Sequence, residues 1–391
     1  MASIREPIWT KSFINVFLTN FSVFVIFYSL IATLPLYAVN MLSRSDDEAG
    51  LLVSFFLLSA IISRPFSGRI LETFGKRHML ILSLILYLAC TILYYFIVSF
   101  SALLVLRFIQ GIGFSIATTA AGSLAVDHIP VKRSGEGLGY FAMSTNLAVV
   151  IGPMLGLFVI QSFSFDALFI LLSVLMILGS IAALLIPKDQ INKEISFKLR
   201  ITFDDLFERK SLSIAILACL LAFTYASVLS YLSIYAEQKS LLTFASTFFL
   251  VFSISMIVTR PFTGRIFDTK GPAYVIIPAF SAYFFGLILL AFMQSPITFI
   301  LAGIFFGLGY GGLVPSLQTL AIQATTRERS GYATATFFTF FDTGIAIGSY
   351  VLGLIAIYFG YMSMYLFAAS CVLIIFCFYL TMIRRKQTAE T

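Results

Sequence analysis

Charge is what this chain has least of. Of its 391 residues 11% are charged and 60% apolar, and its mean hydropathy is +1.00. A soluble domain carries about 25% charged residues. Between Lys270 and Arg327 run 56 residues without Asp, Glu, Lys, Arg or His, a stretch no soluble core requires. Histidine is scarce as well: His78 and His128 both flank apolar runs, so a histidine-based metal centre is excluded and no metal is expected. The four cysteines, Cys90, Cys219, Cys371 and Cys377, lie inside apolar runs. There they suit small buried hydrophobes, which excludes a disulfide scaffold. A P-loop is missing, because Gly75-Lys76-Arg77 has neither the upstream glycine spacing nor the Ser/Thr. ATP hydrolysis, a cofactor and an enzymatic triad are therefore not expected. Nor is a cleavable leader, since the polar start up to Lys11 passes into an apolar run lacking a small-residue cleavage site.

What is present is apolar sequence in helix-length runs. A helix crosses the hydrocarbon with about 20 residues, and a helix is the spanning form that satisfies its own backbone. Runs between polar punctuation predict spans over 12–39, 48–70, 78–98, 101–127, 135–160 and 166–186. After a charged gap they continue over 211–236, 243–266, 273–293, 297–322, 330–358 and 361–383. Two of the splits rest on Gly and Pro alone, at Met293-Gln294-Ser295-Pro296 and Phe359-Gly360-Tyr361. The expected fold is thus an all-α integral membrane protein of twelve transmembrane helices. It divides into a six-helix bundle over 1–186, a cytoplasmic linker over 187–210 and a second bundle over 211–391.

The basic residues test this count. With the amino terminus inside, the inner segments hold 20 of the 25 Lys and Arg, and the outer loops hold Arg44 and Lys239. Arg64, Arg107 and Arg260 fall within spans. That bias predicts a multi-pass cell-membrane protein with both termini cytoplasmic. It also explains the net charge of +7 without nucleic acid.

An internal repeat supports two halves. Residues 63–76 (S-R-P-F-S-G-R-I-L-E-T-F-G-K) and 259–272 (T-R-P-F-T-G-R-I-F-D-T-K-G-P) are identical at eight of fourteen positions, 196 residues apart. The same offset carries Arg133-Ser134-Gly135 to Arg329-Ser330-Gly331, and Gly111 and Gly113 to Gly307 and Gly309. Both long copies end the second span of their half. They therefore share an orientation, with a substrate path expected between parallel repeats. Gly68 and Gly75 suit tight turning and close approach. Glu72 and Asp268 suit pairing with Arg69, Arg77 or Arg265 in a contact made in one conformation and broken in another. The alternative for these cations, Lys76 included, is simple anchoring at the inner surface.

At Gly68-x-x-x-Glu72-x-x-Gly75-Lys76-Arg77, repeated as Gly264-Arg265-x-x-Asp268-x-x-Gly271, the chain resembles the signature segment of the major facilitator superfamily. Glu72 stands where that family usually has Asp, and the second copy lacks the basic pair. Arg107-x-x-Gln110-Gly111-x-Gly113 resembles the family's second signature. Gly152-Pro153-x-x-Gly156 is similar to the signature of its drug/proton antiporter-like exporters, with Leu157 where a further glycine is common. The resemblance implies the same twelve-helix fold and Asp127 as a partner of the arginines near Glu72. It also implies a contact of Gly152, Pro153 and Gly156 with the eighth span that limits proton leak.

Two ionisable residues lie deep in spans. Arg107 is about 9 Å below the outer end of the fourth span, and Asp342 is about 18 Å into the eleventh. Facing lipid, either would cost about 2.5–3.5 kcal/mol on insertion scales, so both are expected to face a cavity. Asp342 is the candidate proton carrier. Arg107 is the candidate for tuning it or for holding an anion, and a static ion pair is the alternative for each. Asn15, Asn20, Tyr28, Gln110, Asn146, Tyr225, Tyr231, Gln318 and Tyr332 are further cavity candidates. The first span has no acid, which weighs against cation recognition by that route. The function expected is proton-coupled export of small organic compounds by a monomer in the bilayer. Import of a sugar or organic anion is the alternative, and a non-transporting receptor or scaffold the remote one.

Overall fold

The computed structural model describes residues 6–44, 46–97, 99–187, 202 and 206–390, without the side chains at 46, 47, 233, 242, 246 and 382–390. Most of the expected linker and the last basic cluster lie outside that description. Among the described residues the regular structure is helical: α1 Lys11–Leu42, α2 Asp46–Phe74, α3 Lys76–Leu93, α4 Phe100–His128, α5 Ser134–Ser162 and α6 Phe165–Leu184. Then follow α7 Leu212–Gln238, α8 Ala245–Lys270, α9 Ala273–Ala291, α10 Pro296–Gln323 and α11 Ser330–Glu390. All eleven contain a stretch long and apolar enough to cross a bilayer. α11 is broken at Gly360, which has φ 83° and ψ 162°. It therefore supplies two spans, and the described residues contain the twelve that hydropathy predicts.

Polar side chains start several of these helices. Thr10 and Ser164 accept from backbone amides in the first turns of α1 and α6. Ser295 and Thr298 form a reciprocal capping box at α10, with Pro296 at its first position, where its missing N–H costs nothing. Gly75 opens α3 with φ 87°, and Gly271, its equivalent in the repeat, ends α8 with φ 101°. Both conformations are accessible to glycine almost alone.

The second and eighth helices overrun the expected spans at the ends that carry the signature segments, α2 as far as Phe74 and α8 as far as Lys270. The signature segments are thus helical up to their last glycine, because Arg, Glu and Lys are good helix formers whose stems extend along the apolar surface. One expectation is corrected here. Gly68 makes no turn but lies within α2, and a Cβ on it would stand 2.9 Å from Tyr332 Cα.

The chain divides into two compact units. One comprises Met1–Arg209 with Thr325–Thr336, the other Lys210–Ala324 with Phe337–Thr391. The start of α11 therefore packs with the first unit. Within the first unit α4 lies against α2 and α3, and within the second α10 lies against α8 and α9. Glycines set both contacts. Gly111 meets Phe56 O and Ser59 on α2, while Gly307 meets Phe252 O and Ser255 on α8. Gly113 meets Ser83 O and Tyr87 on α3, and Gly309 meets Tyr283 on α9. Phe56 to Phe252, Ser59 to Ser255 and Tyr87 to Tyr283 are all separated by the repeat's offset, so the duplication extends to atomic contacts.

Candidate functional site

One end of the first unit carries a polar network built from the signature segment. The break at Gly75 starts α3 at Lys76, whose Nζ lies 2.8 Å from Asp127 Oδ2 and 3.0 Å from Oδ1 at the end of α4. The same ammonium donates to Ser330 Oγ at 2.9 Å, on the first residue of α11. Ser330 Oγ is also 2.9 Å from Ser123 Oγ, and Arg327 donates to Ile129 O at 2.8 Å. Asp127 thus pairs with Lys76. Arg77 donates to Leu184 O at 2.8 Å, at the carbonyl-rich end of α6, a favourable place for a cation. Glu72 is half-buried on the last turn of α2, and its Oε1 has no hydrogen-bond partner and faces Gly331. At the repeat's offset Lys76 and Asp127 become Pro272 and Gln323, so this pair has no second copy. In the second unit Gly264 is buried in α8, Arg265 is exposed and Asp268 is half-buried.

A neighbouring pair shows how the halves diverged. Arg133 binds Glu136 Oε2 at 2.8 and 3.0 Å at the start of α5, and donates to Glu6 O at 2.6 Å. Its repeat equivalent, Arg329, meets Tyr332 where Glu136 would be, and lies 4.3 Å from that ring's centroid. Arg329 finds its carboxylate on Glu208. Glu208 is 5% exposed, and its backbone N–H donates to Thr336 Oγ1 at 2.8 Å. Sequence reasoning missed Glu208, Ser123 and Ser330. The signal for Glu208 was the change of Glu136 to Tyr332, which leaves one duplicated arginine needing another acid.

Arg107 does not open to a cavity. It is 0% exposed, donates from Nε to Leu52 O at 2.9 Å and from Nη1 to Gln110 Oε1 at 3.0 Å, and covers the Phe56 ring at 4.3 Å. Tyr94 donates to the same Gln110 oxygen at 2.6 Å, and Gln110 Nε2 donates to Thr91. Carbonyls and a π-face hold this cation, whose Nη2 has no hydrogen-bond partner, and in the described conformation Arg107 and Gln110 are enclosed within the first unit, where a cavity was expected. Asn20 is also a packing residue, donating to Ser144 Oγ at 2.8 Å and to Thr145 Oγ1 at 3.2 Å across α1 and α5. Tyr28 stacks on Phe24, and Tyr231 donates to Ser349 O. Asn146 and Gln318 are buried with partnerless amide nitrogens. Tyr225 and Asp342 are half-buried in the second unit.

The exporter-type signature packs against α1. A Cβ on Gly152 would stand 2.7 Å from Tyr28 Cβ, and one on Gly156 would stand 2.9 Å from Thr33 Cγ2. Ser29 donates to Gly152 O at 2.6 Å. The close neighbour of these glycines within the first unit is the first helix. Pro153 sits inside α5 between them.

The model of the Major Facilitator Superfamily matches residues 16–342 and 242–391. The chain belongs to that superfamily. Among characterised sequences it is 25% identical to multidrug resistance protein MdtG of Klebsiella pneumoniae, over all of this chain and 98% of that one. It is 23% identical to the multi-drug resistance efflux pump PmrA of Streptococcus pneumoniae, over 91% of each. The fold matches the human organic anion transporter MFSD10 with a TM-score of 0.79 at 15% identity, covering 96% of this chain and all of that one. It matches FucP in its outward conformation with a TM-score of 0.74 at 17% identity, over 93% and 96%.

Proposed function

We propose that the chain is a secondary active exporter of small amphipathic organic compounds, driven by proton entry, with both termini cytoplasmic in the cell membrane. The transport reading is carried by the attachment of the start of α11 to the inner ends of α3 and α4 through Lys76, Asp127, Ser123 and Ser330. Such a cluster of directional polar contacts is either complete or lost, which is what a two-state element requires. Full-length similarity to proteins named for drug resistance and efflux supports export. Asp342 is the proposed proton site, because it is a carboxyl about 18 Å into its helix, where a charge is tolerated only for a functional reason. Catalysis has no part in this reading.

The test is uptake into everted membrane vesicles carrying an acid-inside gradient, using a panel of fluorescent amphipathic cations, anions and neutral compounds. Export predicts gradient-dependent accumulation that a protonophore collapses. Accumulation confined to right-side-out vesicles under inward proton flow would establish the symport alternative.

A further inference from the structure

Among the described residues, four buried polar side chains of the second unit have an atom that lacks a hydrogen-bond partner: Ser253 Oγ, Arg260 Nε, Gln318 Nε2 and Tyr379 Oη. They are 1%, 2%, 4% and 1% exposed. Ser253 and Arg260 are seven residues apart on α8, so they share one face. Arg260 lies ten residues before the end of α8 at Lys270, about 15 Å along the axis.

Arg260 is held in place by one edge of its guanidinium. Nη1 donates to Gly311 O on α10 at 2.7 Å, which leaves Nε on the far side. Ser253 lies seven residues before Arg260 on α8 and Gln318 seven residues beyond Gly311 on the parallel α10, about 10 Å away on either side, so the free guanidinium edge stands between them. That edge can donate, and it belongs to a permanent cation. A buried cation with only a carbonyl partner is costly unless an anion joins it.

Beside this cation lies an aromatic group with an equivalent in the first unit. Phe27 and Phe114 stack at 4.7 Å, with Phe56 and Tyr87 around them. Tyr225 and Tyr310 stack at 4.3 Å, with Phe252 and Tyr283 around them. Phe56, Tyr87 and Phe114 map onto Phe252, Tyr283 and Tyr310 at the offset of 196, and Phe27 onto Tyr225 at 198. The second group alone has a phenol at both stacked positions, and its Tyr310 directly precedes the Gly311 that holds Arg260.

We propose that Arg260 is the anion-binding element of the transport site, and that the transported compounds pair an aromatic ring with a carboxylate or sulfonate. This rests on the exporter reading and narrows its substrate class. The Nε edge of a guanidinium takes two carboxylate oxygens in parallel, a geometry that an ammonium does not reproduce. The stacked tyrosines offer the ring a flat face with hydroxyls at its rim. In the described conformation the donors are enclosed, so the anion reaches them only when the helices separate.

The experiment uses purified full-length protein and two radiolabelled probes of like size, 1-naphthoate and 1-naphthylmethylammonium, in equilibrium binding. Wild type is expected to bind naphthoate tighter by about tenfold or more, the scale of a charge-assisted bidentate pair. Arg260→Gln should remove that preference without weakening the cation, and Tyr310→Ala should weaken both probes. Should Arg260→Gln fail to give folded protein by thermal melting, Arg260→Lys replaces it. Lysine keeps the charge and loses the fork, so selective weakening of naphthoate supports the site. Preference of wild type for the cation, or unchanged naphthoate binding in the folded Arg260 variant, overturns it. Everted vesicles separate the two readings: export of cations alone sinks the anion site and leaves export standing, whereas tight naphthoate binding with inward transport sinks export and leaves the site.

Discussion

Lys76 Nζ sits 2.8 Å from Asp127 Oδ2 and 2.9 Å from Ser330 Oγ, so one ammonium joins the start of α3, the end of α4 and the first residue of α11. Lysine suits this role because its three donors diverge from a single point. Lys76→Ala and Asp127→Ala are each expected to slow transport and raise proteolytic access at the start of α11. The double variant should be little worse than either single one. The exchange Lys76→Asp with Asp127→Lys should restore part of the activity. Additive losses would separate the two residues.

Glu208 anchors the end of the central segment through Arg329. Glu208→Gln keeps the size and removes the charge, and is expected to lower stability by about 1–3 kcal/mol, since the carboxylate is enclosed while the guanidinium remains partly hydrated. Thermal melting of the detergent-solubilised protein reads this. Arg329→Gln should produce a similar shift, and Glu208→Gln with Arg329→Gln should recover part of it. A melting curve that Glu208→Gln leaves in place would make the pair ornamental.

Gly152→Ala places a methyl group 2.7 Å from Tyr28 Cβ and 2.9 Å from Val25 O. Forced separation of α1 and α5 is expected to cost about 1–3 kcal/mol. Gly50→Ala, where a Cβ meets nothing within 4 Å, serves as the matched control in the same melting assay. Equal melting temperatures for the two variants would mean that α5 accommodates the methyl group without moving.

Asp342→Asn preserves shape and cannot carry a proton. It is expected to abolish gradient-driven accumulation while leaving substrate binding within about threefold of wild type, and to eliminate substrate-induced proton release by linkage. Full uphill transport in this variant would return the role to another acid, with Asp127 and Glu136 next to be tested.

Orientation is checked by cysteine substitution at Lys239 and Lys132 in a background without the four native thiols. An impermeant reagent applied to intact cells should modify the first and spare the second, as the distribution of basic residues requires.

The spans and the duplication were legible in the sequence because hydropathy, and the Gly and Pro that interrupt it, are local properties. The split at Phe359-Gly360-Tyr361, read from a single glycine in an uncharged run, coincides with the break in α11. Side-chain environments were legible only where a charge had to meet its opposite. Arg107 escaped because its surroundings are a main-chain carbonyl, an amide and a phenyl face, which leave no ionic mark in the sequence. Glu208 escaped because the duplicated arginine takes its acid from a different segment in each half. The neighbour of Gly152 escaped because a small residue announces close approach without naming what approaches.

Gly360 has a consequence for biogenesis. Without its break α11 would be one rod of 61 residues, about 90 Å long and three times the depth of the hydrocarbon. The reversal that makes two spans of it falls on a residue whose φ of 83° and ψ of 162° are essentially reserved for glycine. During synthesis the last span therefore depends on a single backbone torsion for its direction. Gly360→Val would act on insertion, sending the carboxyl terminus to the wrong side and the chain to quality control before it met a substrate.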